Sequence, residues 1–595
     1  MLSREKIIYI IKLFNHGFGK YKWQIGLLII LGFSGSLLEG IGINTLIPLF
    51  SFITGQRNNN DIISQTIEKV FLYFNIGFNI KILLIFISLL FILKAILELL
   101  SNYVRVRINA GYEEKTRSNL FKITLEADWP YLLKQKLGYL ETVLMTNIKN
   151  SSALLGNIGS VIILVISLIV YTLIAINISL YITLIALAAS AVFFFVFRPI
   201  ISKTRHISYK EERINREIAH HINENITGMK TVKVMLMEGR ISEIAREYFN
   251  RLKRIRIRTY LLVSLGDAFM EPASMIFICI IFAISYYKDP NFNIAALGAV
   301  IYLIKQIFSY TQQLQKYILG VSASVPYLRN VLEYEGQALN NKEQDHGTAP
   351  FKFNDNLEFK NVNFLYDRGK AVLSDINFNI KKGEMVGLIG PSGAGKTTIV
   401  DLILRLFYLN SGEILMDGIN INKINIREWR KNFGYVSQDI FLINDTIINN
   451  IKFYDESISQ EDIEKAARMA NIYDFIQSCP DKFLTLIGEK GTLLSAGQRQ
   501  RIIIARILAR QPQFLILDEA TSALDNESET QIQKVIENLK NRVTVFVIAH
   551  RLSTLINSDR LLALEGGKIV EQGKPQKLLE DRDSYFYKVY NIKNN

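Results

Sequence analysis

Long apolar runs fill the first half of this chain and limit what it can fold into. Six stretches reach the roughly 20 residues that a membrane-spanning helix needs. Their approximate limits are 24–50, 82–104, 155–176, 179–200, 262–287 and 294–320. Because backbone polar groups find no partner in lipid, such runs cross a membrane as helices with internal hydrogen bonds. The sequence therefore predicts an α-helical membrane domain with six transmembrane helices.

Basic residues are concentrated in the two long segments between these spans. Residues 105–150 and 198–260 are rich in lysine and arginine, whereas the short connections at 177–179 and 288–291 carry almost no basic charge. The positive-inside rule places the basic segments in the cytoplasm, and with them both termini. We therefore expect a multi-pass protein of the cell inner (plasma) membrane.

The chain is too long for one domain at 595 residues. We predict a membrane domain over 1–330, a polar linker over 331–352 and a strand-rich domain over 353–595. The basic segments of the membrane domain are helical in pattern, so its helices should extend well beyond the membrane. Each segment should turn once, near Asp128 and near Gly228, which gives two cytoplasmic elbows.

Charge and cysteine content exclude several classes of protein. The net charge of +14 does not indicate a nucleic-acid partner, because the basic residues flank hydrophobic spans instead of forming a separate basic domain. Two cysteines exclude a disulfide framework and a cysteine-cluster metal site.

A complete G-x-x-x-x-G-K-[ST] sequence follows the apolar run Met385–Ile389 and reads GPSGAGKT over residues 390–397. In such a loop, backbone N–H groups surround the α- and β-phosphates, the lysine reaches the β- and γ-phosphates, and the hydroxyl binds Mg²⁺. The predicted nucleotide ligands here are Gly390, Ser392, Gly393, Gly395, Lys396, Thr397 and Thr398. Thr397 is also a predicted Mg²⁺ ligand.

A second motif is the apolar run Phe514–Leu517 followed by two acids. Asp518 suits a water-mediated contact to Mg²⁺, and Glu519 suits a general base that activates the attacking water. The alternative interpretation is a buried strand that is capped by solvated acids.

Residues 494–498 read LSAGQ and precede a basic, apolar helix. A serine and a glycine at a helix start place a hydroxyl, free N–H groups and the positive end of the dipole together, which makes an anion site. Here the chain resembles the ATP-binding cassette (ABC) family, whose signature usually reads LSGGQ. The resemblance implies that Ser495, Gly497 and Gln498 bind nucleotide. Ala496 replaces one of the two glycines; a single added methyl group is a mild departure from the signature, and its effect on the ATPase rate stays open.

The resemblance extends to other landmarks of the cassette. It implies that Tyr366 stacks on adenine, that Gln438 contacts Mg²⁺ and the membrane elbows, and that His550 contacts the γ-phosphate. Asp525 ends a segment that matches the D-loop. Residues 485–491 resemble the X-loop of ABC exporters, which touches the elbows, and this argues against an importer.

The chain carries a membrane domain with six spans and, after it, an α/β P-loop NTPase cassette on the same polypeptide. In this order of domains it resembles an exporter-type half-transporter. In that family, ATP at Lys396 of one subunit is completed by Ser495 and Gly497 of another, so a dimer with ATP and Mg²⁺ is expected. A homodimer is favoured because Glu519 and His550 are both present. A heterodimer with a degraded partner stays open.

The predicted function is an ATP-driven exporter or flippase that works by alternating access. Residues 38–49 look similar to the same region of bacterial lipid-linked oligosaccharide flippases, which favours an amphipathic substrate such as a lipid or lipid-linked glycan alongside membrane lipids. A peptide or drug exporter and an ATP-gated channel or regulator are the alternatives.

Ionisable residues lie deep within the predicted spans, where they are costly unless they are paired or face water. They are Glu39, Lys94, Glu98, Asp267, Glu271 and Lys305. In one interpretation Lys94 pairs with Glu98 along its helix and the others pair between helices. In the other, Lys94 and Lys305 face a substrate cavity and hold an anionic head group.

Overall fold

The structure is a computed structural model. It describes residues 19–46, 48–49, 69, 71–73, 75, 77–136, 138–178, 180–196, 198–288, 294–366, 369, 371–520, 526–540, 542–549 and 555–594. Within these ranges, nothing is described for the side chains of residues 20, 177–178, 267, 285–288, 294–300, 526 and 590–594. The chain forms two compact units, and the second comprises Asp128–Pro130 and the chain from Glu343 onward.

Long helices build the first unit. They are α1 (Lys22–Asn44), α2 (Ile80–Leu125), α3 (Ile148–Ile178), α4 (Leu180–Val196), α5 (Arg198–Thr227), α6 (Glu238–Lys288) and α7 (Ile294–Asn340). Shorter helical segments lie at Gly19–Tyr21, Trp129–Lys134, Tyr139–Glu141 and Met229–Val234, and a π-helical turn at Thr142–Asn147 leads into α3.

Among the described residues, five segments are long and apolar enough to cross a membrane. They are Lys22–Asn44, Ile80–Leu125, Tyr139–Ile176, Leu180–Thr227 and Glu238–Ile284. These five contain the first five predicted spans in large part. The sixth predicted span falls within α7, whose first side chains lie outside the described residues, and most of the predicted connection at 288–291 lies outside them too.

Helix lengths agree with the predicted extensions beyond the membrane. Helix α2 has 46 residues, α6 has 51 and α7 has 47. At about 1.5 Å per residue each is roughly 70 Å long, more than twice the roughly 30 Å of a hydrocarbon core. Turns occur near both predicted positions, after α2 before Trp129 and at Gly228 between α5 and Met229.

The predicted linker over 331–352 needs correction, because α7 continues through its first ten residues to Asn340. Val331, Tyr334 and Ala338 are buried at helical spacing. The Tyr334 hydroxyl lies 2.9 Å from Thr124 Oγ1 on α2. Packing of this apolar face stabilises the helix although the segment contains many polar residues. The two units divide between Lys342 and Glu343.

Two sheets form the second unit. Its strands are β1 (Asn356–Leu365), β2 (Ala371–Lys381), β3 (Met385–Ile389), β4 (Ser411–Met416), β5 (Ile419–Asn420), β6 (Phe433–Val436), β7 (Phe514–Asp518), β8 (Thr544–Ile548), β9 (Arg560–Glu565) and β10 (Lys568–Gly573). One sheet is antiparallel with the order β2-β1-β4-β5, and the other has the order β10-β9-β3-β8-β7-β6. The central strands of the larger sheet run parallel.

Helices and short 3₁₀ turns at Ile421–Lys423, Lys482–Leu484 and Glu489–Gly491 complete this unit. The helices are α8 (Lys396–Ile403), α9 (Ile426–Asn432), α10 (Ile447–Lys452), α11 (Gln460–Met469), α12 (Tyr473–Ser478), α13 (Ala496–Leu508), α14 (Asn526–Leu539), α15 (Pro575–Glu580) and α16 (Tyr585–Asn594). All residues of β3, β7 and β8 are buried, as expected for parallel strands covered on both faces.

Alternate residues of these strands belong to two separate cores. Leu515, Leu517 and Val545 pack in one core with the buried face of α13. Phe514, Ile516 and the buried face of α8 pack in the other. Because successive side chains of a strand point to opposite faces, α8 and α13 cover opposite faces of the larger sheet.

Candidate functional site

The glycine-rich loop connects β3 to α8 at the carboxyl edge of the parallel strands. A Cβ at Gly390 would lie 2.2 Å from the Leu564 carbonyl oxygen, and one at Gly395 would lie 2.7 Å from Leu373 Cδ2, so both positions need glycine. Gly393 has a φ of +80°, and a Cβ there would meet nothing within 4 Å. The loop is therefore open on the side of Gly393.

Lys396 is the first residue of α8 and is buried. Its Nζ donates to the carbonyl oxygens of Gly390, at 2.9 Å, and Pro391, at 3.1 Å. The ammonium thus lies over the loop at a helix N-terminus, where backbone N–H groups and the helix dipole also attract anions. Ser392 is exposed on the loop, and Thr397 and Thr398 follow on the helix.

Asp518 ends β7, and Glu519 follows it. Both Asp518 and Leu388 of β3 are paired with Ile548 of β8, which lies between them in the sheet. The acids therefore lie at the same edge of the sheet as the phosphate loop that follows β3. Burial raises the pKa of Asp518 and the charge of Glu519 raises it further, while Lys396 and hydrogen bonds from Tyr435 and Thr397 oppose the shift. Burial, together with the charge of Asp518, also raises the pKa of Asp401 on α8 to about 6.

The predicted Mg²⁺ ligands Thr397 and Asp518 lie near the phosphate loop. The described residues contain no cluster of three or more His, Cys, Asp or Glu side chains that could hold a metal ion. Mg²⁺ is usually held by one or two carboxylates together with phosphate oxygens and water. Thr397 and Asp518, beside the phosphate loop, therefore fit a magnesium-nucleotide complex.

Glu519 is held in an uncommon backbone conformation immediately after β7. Its φ is +51°, and its backbone N–H donates to the Ile548 carbonyl oxygen at 2.9 Å. Gln438 Nε2 donates to Glu519 Oε2 at 2.9 Å. The structure therefore brings these two predicted residues together at the edge that carries the phosphate loop. Positive φ at a non-glycine residue is a form of strain that concentrates at functional sites.

Tyr366 follows β1 and lies beside the phosphate-loop helix. Its hydroxyl oxygen is 3.0 Å from Thr398 Oγ1, and its ring packs edge-to-face on Phe364 and Phe407. The side chain remains partly exposed. An aromatic ring fixed in this way at the edge of the site could stack on a base.

The signature serine caps α13. Ser495 Oγ accepts from the Gln498 backbone N–H at 3.2 Å, and Gln498 Oε1 accepts from the Ser495 N–H at 2.9 Å. This reciprocal capping box leaves the serine hydroxyl hydrogen available to a ligand. A Cβ at Gly497 would lie 2.3 Å from Ser528 Oγ, so that position needs glycine. Ala496 is the first residue of the helix and packs against the core, so its methyl group is accommodated.

Two predicted nucleotide residues, Asp525 and His550, lie outside the described residues.

Within the membrane domain, Glu39 of α1 is the centre of a polar network. It is 4% exposed, and Lys94 Nζ of α2 lies 2.6 Å from its Oε2. From α7, Gln306 Nε2 donates to Oε1 at 3.0 Å and the Tyr310 hydroxyl donates to Oε2 at 3.3 Å. Lys94 therefore pairs with another helix, which corrects the predicted pair with Glu98.

A cavity of about 280 Å³ opens beside this network, with walls from α1, α2, α3 and α7. Lys94, Glu98 and Arg105 line it together with Glu39 and several serines. Arg105 was not predicted, although it lies eleven positions after Lys94 and hence on the same helical face. Its Nη1 donates to Ser160 Oγ at 2.6 Å.

The other predicted cavity residues are placed elsewhere. Lys305 and Glu271 are exposed and do not line this cavity, which corrects the prediction that Lys305 joins Lys94 in it. The side chain of Asp267 lies outside the described residues.

Comparison with known proteins gives the family. Residues 25–311 match the family model of the ABC transporter transmembrane region, and residues 373–522 match that of the ABC transporter. The chain is 31% identical over 513 residues to the ATP-dependent lipid A-core flippase of Coxiella burnetii (strain RSA 493 / Nine Mile phase I), covering 84% of this chain and 85% of that protein. The chain belongs to the ABC transporter family. The predicted family and the predicted fold are thereby confirmed.

Other relatives agree on the type of ABC transporter. The ATP-dependent lipid A-core flippase of Syntrophus aciditrophicus (strain SB) is 34% identical over 419 residues, 68% of either chain. A solved structure described as a bacterial Atm1-family ABC exporter with ATP bound superposes with a TM-score of 0.79 at 25% identity, covering 97% of this chain and 99% of that one. The protein is an exporter-type half-transporter, and the prediction of an ATP-driven translocase is confirmed.

Proposed function

We propose that this ABC transporter flips an amphipathic lipid with an anionic head group, of the lipid A-core class, across the plasma membrane. The charged cavity of the membrane domain carries this proposal. Lys94 lines it and is about a quarter exposed. An ionisable side chain within a span marks a substrate path by default, and relatives at 31–34% identity are named lipid A-core flippases.

The cavity suits a polar head group rather than acyl chains. Lys94, Glu98, Ser101 and Arg105 follow one another along one face of α2. Lys94 and Arg105 are separated by about 16 Å along the helix at 1.5 Å per residue. The cations at both ends can hold phosphate groups, while Ser101 and Glu98 between them can bind sugar hydroxyl groups and the tails stay in the bilayer.

The nucleotide site would supply the energy. Backbone N–H groups of the glycine-rich loop and Lys396 hold the phosphates, with Ser392 and Thr398 beside them, and Tyr366 stacks on the base. Thr397, Asp518 and Gln438 would hold Mg²⁺, which would supply positive charge beside the phosphates. Glu519 orients and activates the attacking water. Asp525 and His550 also belong to this proposed nucleotide site, and the sequence motifs alone support their roles.

We propose a homodimer with both cassettes in the cytoplasm. Helices α8 and α13 cover opposite faces of one sheet, so Ser495, Gly497 and Gln498 would complete the site of a second copy rather than their own. Basic residues concentrate in 105–150 and 198–260, which supports a cytoplasmic position for these segments.

A paired substitution tests the head-group role of Lys94. Removing Lys94 alone leaves the Glu39 carboxylate buried without its cation, which destabilises a protein by several kcal/mol. The double variant E39Q/K94Q removes both charges and keeps an amide at position 39 for Gln306 and Tyr310. We expect it to fold and hydrolyse ATP at the basal rate, but to lose stimulation of ATPase activity by lipid A in phosphatidylcholine vesicles.

Lys305→Gln is the matched control, because this lysine is exposed on α7 outside the cavity. Stimulation should persist in that variant. Full stimulation of E39Q/K94Q would show that the charges are structural. Stimulation of the unmodified protein by a peptide or drug panel instead of lipid A would point to the alternative exporter classes.

A further inference from the structure

The half-buried side chain of Arg506 joins the signature helix to the segment that follows Gln438. Arg506 lies near the end of α13, and its Nε donates to the Asn450 carbonyl oxygen at 2.7 Å. Its Nη1 donates to the Phe441 carbonyl oxygen at 2.9 Å, and its Nη2 donates to Asn450 Oδ1 at 3.2 Å. The guanidinium also lies 4.4 Å from the centre of the Phe453 ring.

Asn450, which accepts hydrogen bonds from Arg506, also makes hydrogen bonds to backbone groups of its own segment. Asn450 is fully buried. Its Oδ1 accepts from the Ile443 N–H at 3.0 Å, and its Nδ2 donates to the carbonyl oxygens of Ile443 and Thr446, each at 3.0 Å. The segment 441–453 is therefore folded around one amide and one guanidinium. Burial and the charge of Arg510 lower the pKa of Arg506 to about 10, so Arg506 stays charged at neutral pH.

The segment 441–453 is bonded in turn to the segment 485–491, which resembles an X-loop. Ile447 N–H donates to the Thr485 carbonyl oxygen at 3.0 Å, and Ile487 N–H donates to the Asp445 carbonyl oxygen at 3.2 Å. A Cβ at Gly491 would lie 2.7 Å from Leu442 Cδ1, so these two segments also pack closely.

We infer that Arg506 and Asn450 are positioning residues that make α13, segment 441–453 and segment 485–491 move as one body. Closure of the cassettes on nucleotide at Ser495 would then be passed to the segment predicted to touch the membrane elbows. This inference rests on the proposed function, since it assigns a route between ATP binding and substrate binding. Neither residue touches nucleotide in this scheme.

Geometry explains why this position needs arginine. The planar guanidinium donates in three directions at once, to two carbonyl oxygens and one amide oxygen. An ammonium keeps the charge but is a compact point at the end of a flexible chain, so it cannot reproduce the fork. Arg506→Lys should therefore loosen the connection without removing charge. Arg510→Lys is the matched control, because Arg510 is exposed and donates only weakly, at 3.5 Å, to the Phe453 carbonyl oxygen.

Two measurements on the full-length protein test the inference. In phosphatidylcholine vesicles, R506K should keep the basal kcat and the KM for ATP but lose stimulation by lipid A, while R510K keeps all three. Retained stimulation in R506K overturns the inference. A parallel fall of basal and stimulated rates also overturns it, because that is the result of a merely structural residue.

The second measurement does not depend on the transported substrate. In E519Q with ATP, hydrogen exchange should slow together in peptides from 441–453, 485–494 and 495–508. Adding R506K should confine the slowing to 495–508, whereas slowing of all three would contradict the coupling. If R506K does not fold, R506Q replaces it, because the glutamine amide keeps a hydrogen-bond donor at this position but cannot reach two carbonyl oxygens and one amide oxygen at once. Failure of lipid A to stimulate the unmodified protein counts against the proposed substrate and leaves this exchange test intact.

Discussion

At the scale of single residues, the nucleotide site combines strain and charge. Glu519 has a positive φ and accepts a hydrogen bond from Gln438, while the neighbouring Asp518 is buried. Burial raises the pKa of Asp518, so a cation that neutralises this edge would favour its charged form. The site therefore holds its carboxylates in an arrangement that a magnesium-nucleotide complex would stabilise.

Glu519→Gln should strongly reduce turnover and leave ATP binding intact. A general base contributes roughly 10²–10⁴-fold to a rate, and the amide cannot accept the proton of the attacking water. We expect ATPase activity to fall by that factor and a closed dimer with bound ATP to accumulate. The size of the purified particle and the amount of nucleotide that it retains would measure this accumulation. Glu537→Gln on α14 is the control, since that carboxylate is exposed and bonded to Asn557. Unmodified turnover in E519Q would rule out the assigned role.

At the scale of elements, local pattern identified the motifs but missed contacts between distant segments. The phosphate loop, the two acids and the signature each lie at the end of the strand or the start of the helix that the sequence predicts. Residues 331–340 look polar, yet they are helical because Tyr334 packs against α2. The partner of Lys94 lies on another helix, which residue spacing along α2 cannot indicate.

The end of α7 offers a test of that correction. Tyr334 is 1% exposed, and its hydroxyl pairs with Thr124 Oγ1. Tyr334→Phe keeps the ring and leaves the threonine hydroxyl without this partner, so it should destabilise the protein by about 1 kcal/mol. Tyr334→Ala also opens a cavity and should destabilise by about 3–5 kcal/mol. Thermal unfolding in detergent would measure both. Equal melting temperatures for all three proteins would mean that residues 331–340 behave as a linker.

At the scale of the whole molecule, the direction of transport depends on orientation in the membrane. Basic segments and short, charge-poor connections predict that residues 177 and 291 face outside and residue 136 faces the cytoplasm. Single cysteines at Asn177, Asn291 and Lys136 test this after Cys279 and Cys479 are replaced by serine. An impermeant thiol reagent applied to intact cells should label the first two positions and spare the third. The reverse labelling pattern would invert the proposed direction.

The capping box of Ser495 and Gln498 has an entropic consequence for the transport cycle. Because each residue already bonds the other, the start of α13 is ordered before any nucleotide arrives. When nucleotide on a second copy docks there, the start of α13 would therefore lose little further conformational freedom. Preorganised surfaces bind more tightly for this reason. The start of α13 would gain little disorder when the subunits separate after hydrolysis. Separation would then depend on the loss of the γ-phosphate charge.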